Sequence, residues 1–108
     1  MRYLPVIWSG LPANAMALFP FMIFKNAGLK KNPVIINHEK IHFHQQLELL
    51  ILPFYVLYLL NYLLNLVRYK NHSKAYFMIS FEREAYANDY NLNYLKTRKL
   101  YSWLTFLF

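Results

Sequence analysis

The sequence has no cysteine among its 108 residues and only two glycines. The absence of cysteine excludes a disulfide framework and every thiolate metal site. Any zinc bound by this chain must therefore be held by histidine, aspartate or glutamate. Internal repeats and low-complexity linkers are also missing, so residues 1–108 are predicted to form one domain.

Acidic residues are scarce as well. Five Asp and Glu stand against twelve Lys and Arg, which gives a net charge of +7. Hydrophobic residues make up 57% of the chain, against about 45–50% in ordinary soluble proteins. A basic and apolar chain has two natural partners, an anionic membrane surface or a nucleic acid. Because the basic residues are scattered and no base-reading motif is present, we expect membrane lipid and no nucleic acid.

The N-terminal half predicts a mainly α protein with a small amount of β structure at its start. Residues 13–25 are expected to form a short β-hairpin or edge strand with a corner at Pro20. A helix should begin at Pro33, where proline suits the first turn and Asn32 can serve as N-cap. This helix is expected to continue to about Pro53.

The C-terminal half predicts two further helices. Residues 54–67 are apolar on nearly every side, so this helix has to be buried in protein or in lipid. Residues 68–74 form a polar turn, and a last amphipathic helix is expected over residues 74–96.

One stretch contains the residue types of a metal site, namely residues 37–50, NHEKIHFHQQLELL. His38, Glu39 and His42 form an H-E-x-x-H motif, and residues i and i+4 share one face of a helix. Two imidazoles at this spacing can bind one zinc ion, while Glu39 lies where a carboxylate can act as general base toward a water molecule. The alternative is a helix with exposed histidines and an incidental glutamate. His44 faces away from the pair and is read as a surface residue.

A third protein ligand is needed, and downstream carboxylates at 82 and 84 are the candidates. The alternative is that they belong to a solvated helix start. Residues 49–67 are long enough to span a bilayer, but a straight span would place His42 and the downstream carboxylates roughly 30 Å apart. Zinc ligation therefore requires the chain to turn back, with a bend at Pro53 and a hairpin at residues 68–74.

The stretch INHEKIHFHQQLELL with the later FEREAYAND resembles a small bacterial family of HExxH membrane proteins. It is more distantly similar to the membrane-embedded gluzincin zinc metallopeptidases of the CAAX-processing and beta-lactam-sensor types. This resemblance implies a minimal gluzincin-like fold, a zinc cofactor and a hydrolase ancestry. In those peptidases a strand before the motif helix holds extended substrate, and residues 17–25, ALFPFMIFK, match it loosely.

The resemblance also implies residue roles. Aligning Glu82-Arg83-Glu84-Ala85 with the gluzincin run E-x-E-A makes Glu82 the third zinc ligand. Glu84 is then a supporting or surface group. Tyr86 stands where the family has an acidic residue that supports a ligand histidine, and Asp89 can take its place. From the residues themselves, Gln46 lies one turn beyond His42, where it either supports the site by hydrogen bonding or simply ends a buried polar seam.

The sequence thus predicts a membrane-associated zinc metallopeptidase, located in the bacterial cell envelope at the inner membrane. Its peptide substrate would lie along residues 17–25, and Tyr86 or Tyr90 would stabilise the oxyanion. The alternative function is a non-catalytic small membrane subunit that binds a larger membrane protein complex.

Overall fold

A computed structural model describes residues 3–107 and shows a mainly helical chain with a small sheet at its start. The described residues form three strands and five α-helices. The strands are β1 (Leu4–Ile7), β2 (Ala15–Leu18) and β3 (Phe21–Phe24), and the helices are α1 (Pro33–Glu48), α2 (Leu52–Tyr69), α3 (His72–Phe77), α4 (Ser80–Asn88) and α5 (Tyr94–Thr97).

The sheet has the order β1-β3-β2, which leaves β2 at one edge. Strands β2 and β3 form the expected hairpin around Pro20, with Met16 opposite Ile23 and Leu18 opposite Phe21. Strand β1, which was not predicted, pairs in parallel with β3. The middle strand is therefore β3, and the free edge nearest the helices belongs to β2.

Helix α1 begins as predicted and ends earlier than predicted. The Asn32 side chain accepts hydrogen bonds from the backbone of Val34 and Ile35 at 3.0 and 3.3 Å, and Pro33 occupies the first turn. The expected end at Pro53 is wrong, because Leu50 and Ile51 adopt positive φ angles of 59° and 69°. This conformation cannot continue a right-handed helix, so the chain turns before Pro53.

The turn separates α1 from α2 by an angle of 111°. The predicted return of the chain is thus present, but it is made at residues 49–51, and Pro53 lies in the first turn of α2. No single helix of the described residues has the length and hydropathy needed to cross a bilayer, whereas α1 and α2 taken together across their bend do meet that test.

The single helix expected over residues 74–96 is also wrong, since that stretch divides into α3, α4 and α5. The first break lies at Ile79, whose backbone is extended, and the backbone N–H of Ser80 donates to the Asn61 side chain of α2 at 2.8 Å. A tertiary contact thus satisfies the donor that starts α4. Asn71 caps α3 by accepting from Lys74 N at 3.0 Å.

Two apolar clusters flank α1. One lies under the sheet and contains Ala17, Met22, Phe24 and Phe43. The other lies between α2, α4 and the C-terminal segment, and contains Phe54, Ile79, Phe81 and Trp103. Helix α1 runs between them with an unusually polar buried face, formed by Asn37, His38, Glu39, His42, Gln45 and Gln46. Buried polar groups require partners, and these partners build the site.

Candidate metal centre

The two histidines of the motif lie one turn apart on α1 and aim the same nitrogen at one point. His38 Nε2 and His42 Nε2 are 3.2 Å apart. Both residues are buried, with exposed fractions of 7% and 5%. A histidine pair on a solvated helix face would be exposed, so the alternative of incidental surface histidines is wrong.

Glu82 completes a triangle with this pair, although it lies 40 residues beyond His42 in the sequence. Its Oε1 atom is 3.2 Å from His38 Nε2 and 3.0 Å from His42 Nε2. Zinc bound at about 2.0–2.1 Å in tetrahedral geometry has ligand atoms about 3.3–3.4 Å apart. The three observed distances of 3.0 to 3.2 Å approach that spacing, so this buried cluster can hold a metal ion.

The outer nitrogens of both rings are occupied by acceptors. His38 Nδ1 lies 3.0 Å from Asp89 Oδ2, and His42 Nδ1 lies 2.8 Å from Gln45 Oε1. A carboxylate and an amide oxygen can only accept, so both Nδ1 atoms carry the proton. With the proton on Nδ1, the Nε2 lone pair of a neutral ring faces Glu82, which is the tautomer that metal ligation requires.

This arrangement brings three hydrogen-bond acceptors together, and acceptors at such distances repel unless a cation lies between them. A proton supplies that cation when no metal is bound. Burial by itself lowers the pKa of His42, but the charge of Glu82 and its hydrogen bond outweigh burial and raise the pKa to about 9. Burial likewise favours the neutral form of Glu82, yet the charge on His42 and the hydrogen bonds from both histidines hold its pKa well below the usual range.

Tyr58 of α2 fixes the second oxygen of Glu82. The Tyr58 hydroxyl donates to Glu82 Oε2 at 2.6 Å. This leaves Oε1 as the atom aimed at the histidines, so Glu82 can bind a metal through one oxygen. Sequence reasoning missed Tyr58, because nothing local distinguishes it from the other tyrosines of the apolar helix.

Glu39 lies beside the triangle without joining it. Its exposed fraction is 7%, and it lines the same cavity as the two histidines and Glu82. Burial is the main cause that raises the pKa of Glu39, although the two histidines act in the opposite direction. A carboxyl group with a raised pKa near a metal position suits transfer of a proton to and from water.

The cavity has a volume of about 350 Å³. Besides the ligand cluster, its wall consists of strand β2 on one side and aromatic residues of α2 and α3 on the other: Phe54, Tyr55, Tyr58 and Tyr76. This volume lies near the lower end of the range for small-molecule sites, about 300–1,000 Å³. The H-E-x-x-H residues and the edge strand β2 therefore line the same cavity.

The remaining predicted site residues take different places. Asp89 bonds His38, which is the contact expected if it substitutes for an acidic residue at position 86. The Tyr86 ring lies 4.4 Å from the ring of His38, centroid to centroid. Gln46 bonds strand β2, and Glu84 faces away from the cluster toward Gln45 and the C-terminal segment. Tyr90 is 83% exposed and does not line the cavity.

Asn37 and Gln45 are two further contributors that sequence reasoning missed. The Asn37 side chain donates to the backbone oxygens of Asp89 and Asn91 at 2.8 and 3.0 Å, which holds the loop that carries the Asp89 carboxylate. Gln45 donates to Phe81 O at 3.0 Å while it accepts from His42. Their positions in the sequence could have indicated a supporting role, since Asn37 directly precedes His38 and Gln45 lies three residues after His42.

Comparison with known proteins adds no relative to this picture. No family model, curated protein or solved structure matches the chain. The similarity to gluzincin peptidases therefore stays an expectation from the motif residues.

Proposed function

We propose that the protein is a zinc-dependent hydrolase of peptides with a minimal gluzincin-like site. The observation that carries this proposal is the triangle of His38 Nε2, His42 Nε2 and Glu82 Oε1 beside a buried Glu39. Two histidines and one carboxylate are a common ligand set for catalytic zinc, which keeps a further position open. Zinc is favoured over harder ions because two of the three ligands are imidazoles.

The roles of the chain's own residues follow from their positions. Zinc held by the triangle would supply Lewis acidity, polarising a carbonyl and lowering the pKa of water. Glu39 takes the proton of the attacking water and returns it to the leaving amine, which is the task its raised pKa suits. Asp89 and Gln45 hold the imidazoles in the ligating tautomer throughout.

An oxyanion donor has to lie inside the cavity, which makes Tyr76 the better candidate than Tyr90. Tyr76 lines the cavity, and its hydroxyl is 3.1 Å from the hydroxyl of Tyr86. When Tyr86 donates in this pair, the Tyr76 hydroxyl proton is available to a developing negative charge. The expected role of Tyr86 thereby becomes that of a supporting residue.

The free edge of β2 is the proposed place for an extended peptide. Asn14 O accepts from Lys25 N at 2.9 Å, and every second residue of β2 bonds to β3 in this antiparallel register, so the backbone groups of Ala15 and Ala17 point away from β3. Consistent with this, Gln46 donates to Ala17 O at 2.8 Å from that side. A peptide added as a further strand could bond to the outward backbone groups of Ala15 and Ala17 that Gln46 leaves open, next to Glu39. The proposed peptide position thus shifts from the expected range 17–25 to the edge strand Ala15–Leu18, which overlaps that range only at residues 17 and 18.

Metal analysis and turnover test this proposal together. We expect one zinc per purified chain, and its loss in His38→Ala. Glu39→Gln keeps the metal ligands and removes the base, so it should retain zinc and lose hydrolysis of a mixed peptide library read by mass spectrometry. Absence of zinc from the wild type, or turnover unchanged in Glu39→Gln, would overturn the proposal.

Membrane association forms the second part of the proposal, and the distribution of charge supports it. All five acidic side chains are internal: Glu39, Glu82, Glu84 and Asp89 are buried, and the side chain of Glu48 is 4% exposed. Eight lysines and arginines of the described residues are exposed, namely Lys25, Lys30, Lys31, Arg68, Lys70, Lys74, Lys96 and Lys99. An exterior with cations and no carboxylate side chain attracts anionic lipid.

The outer face of α2 supplies the apolar part of this surface. Leu52, Leu59, Leu60, Leu64 and Val67 are each at least half exposed. Only Phe54 and Asn65 of this helix are buried, so its outward leucines need a cover of lipid or protein. A helix with one apolar exposed face and basic residues at its end, here Arg68 and Lys70, suits an interface between lipid and water.

Vesicle flotation tests the membrane part. The protein should float with vesicles that contain anionic phospholipid, float less with zwitterionic vesicles, and lose binding in Leu60→Gln with Leu64→Gln. Binding to nucleic acid in preference to anionic vesicles would contradict it. We propose that this membrane is the inner membrane of a bacterial cell envelope, in line with the resemblance to a family of bacterial membrane proteins.

A non-catalytic subunit of a larger membrane complex is the second candidate function. The same exposed leucines of α2 favour it, because a partner protein can cover them as well as lipid does. Zinc present at one per chain, no peptide hydrolysis and unchanged behaviour of Glu39→Gln would select this function over the hydrolase.

A further inference from the structure

A chain of buried polar side chains leads from the metal ligand His42 away from the cavity. Gln45 Oε1 accepts from His42 Nδ1 at 2.8 Å, and Gln45 Nε2 donates to Glu84 Oε1 at 2.9 Å. Gln45 and Glu84 both have exposed fractions of 0%. Neither residue contributes an atom to the triangle of His38 Nε2, His42 Nε2 and Glu82 Oε1, so any role in metal binding has to act through His42.

The orientation of the Gln45 amide decides which nitrogen of His42 carries a proton. Its NH₂ group is held by two acceptors, Phe81 O and Glu84 Oε1, which leaves the oxygen facing His42. A flipped amide would present NH₂ to Nδ1, and Nδ1 would then have to accept. The proton would move to Nε2, where it blocks ligation.

Glu84 is in turn held from the C-terminal side. Arg98 donates to both of its oxygens, from Nε at 2.5 Å and from the terminal nitrogen at 3.0 Å, and the Tyr94 hydroxyl donates at 2.7 Å. Arg98 also pairs with Glu48 at the end of α1. Both oxygens of Glu84 therefore act as acceptors, and Oε1 is held where it accepts from Gln45.

We propose that Gln45 and Glu84 are positioning residues that set the tautomer of His42, and that Arg98 thereby couples the C-terminal segment to metal affinity. This inference rests on the proposed zinc site. The alternative for Glu84 was an exposed residue at a solvated helix start. The structure instead buries Glu84 with four donor atoms around its carboxylate.

Zinc and cobalt titrations of the purified full chain test the proposal without any substrate. Gln45→Leu keeps the approximate volume and removes the acceptor, and we expect zinc affinity to fall by roughly 10–100-fold. Cobalt in the same variant should show weakened visible bands of tetrahedral coordination. Asn65→Leu is the matched control, because it deletes a buried amide whose partner among residues 3–107 is Ala75 O, away from the metal site. This variant should bind zinc as the wild type does.

A double variant distinguishes positioning from packing. Gln45→Glu combined with Glu84→Gln exchanges the amide and the carboxylate. A carboxylate then faces His42, and because both of its oxygens accept, it presents an acceptor to Nδ1 in either orientation. We expect it to bind zinc roughly tenfold more tightly than Gln45→Leu. Equal zinc affinity of Gln45→Leu and wild type would overturn the proposal, as would a double variant no better than Gln45→Leu. Failure of the zinc site itself is recognised separately, because the wild type would then bind no metal.

Discussion

Replacement of Asp89 by asparagine separates its support of the metal site from its effect on folding. Asp89 Oδ2 accepts from His38 Nδ1 at 3.0 Å, while Asp89 Oδ1 is buried with no hydrogen-bond partner among the described residues. Asparagine keeps an oxygen for His38 and thus keeps the tautomer. It is a weaker acceptor because it carries no charge. We therefore expect the site geometry to survive and the zinc affinity to fall.

The magnitude follows from two effects, one on metal affinity and one on the metal-free fold. Loss of a partner that supports a metal-bound histidine lowers metal affinity by about 10–100-fold, or roughly 1.4–2.7 kcal/mol. Since asparagine retains an acceptor, the lower figure applies to Asp89→Asn. In the metal-free protein the substitution removes a buried negative charge, whose burial costs free energy, but the new NH₂ group takes the position of the unpartnered Oδ1 and stays without an acceptor. The metal-free variant should therefore be about as stable as the wild type.

Urea unfolding at a fixed free zinc concentration, and again with a chelator, measures both effects. The zinc-dependent part of the unfolding free energy should shrink by about 1.4 kcal/mol, equivalent to a tenfold loss of affinity. Asp89→Leu, which removes the acceptor entirely, should lose more. Equal destabilisation of Asp89→Asn with and without zinc would refute the reasoning, because Asp89 would then support the fold and not the metal.

Two other predictions concern the supports of the site. Gln46→Leu removes two hydrogen bonds between α1 and the β2–β3 hairpin, one donated to Ala17 O and one accepted from Phe19 N. We expect the unfolding free energy measured in urea to fall by roughly 1–3 kcal/mol. A loss near zero would show that packing alone holds the hairpin. Burial and then the neighbouring Glu84 raise the pKa of Tyr94 to about 12 from its ordinary value of 10. The unfolded chain therefore releases this proton first, and stability present below pH 10 declines as pH rises toward 12. Tyr94→Phe should show a shallower decline in alkaline unfolding measurements, and an unchanged slope would contradict this account.

Much of the ligand geometry could be predicted because helix spacing is local. His38 and His42 share a face wherever residues 33–48 are helical, and Asn32 with Pro33 starts that helix as expected. The supporting residues were harder to predict. Tyr58, Asn37 and Gln45 act by contacts with α4 and the loop after it, and such contacts have no periodicity in the sequence.

Contacts between distant residues also explain why residues 74–96 divide into three helices. Propensity and pattern favour one continuous helix there, yet Asn61 receives the N–H of Ser80 and Ser80 donates in turn to Trp103 O. Arg98 similarly joins Glu48 to Glu84 across 50 and 14 residues. In each case a partner far along the chain outweighs the local preference.

The sequence by itself determined that any zinc site must be built without thiolate, that two imidazoles share a helix face, and that the chain must fold back for a carboxylate to reach them. These conclusions follow from residue chemistry and from the repeat of the helix, which need no knowledge of distant contacts. Only the tertiary structure decided that Glu82 points one oxygen at both histidines and the other at Tyr58. It also decided that every acidic side chain lies in the interior of the protein. The reason is that burial depends on how the helices pack against one another, which the sequence of a single segment does not determine.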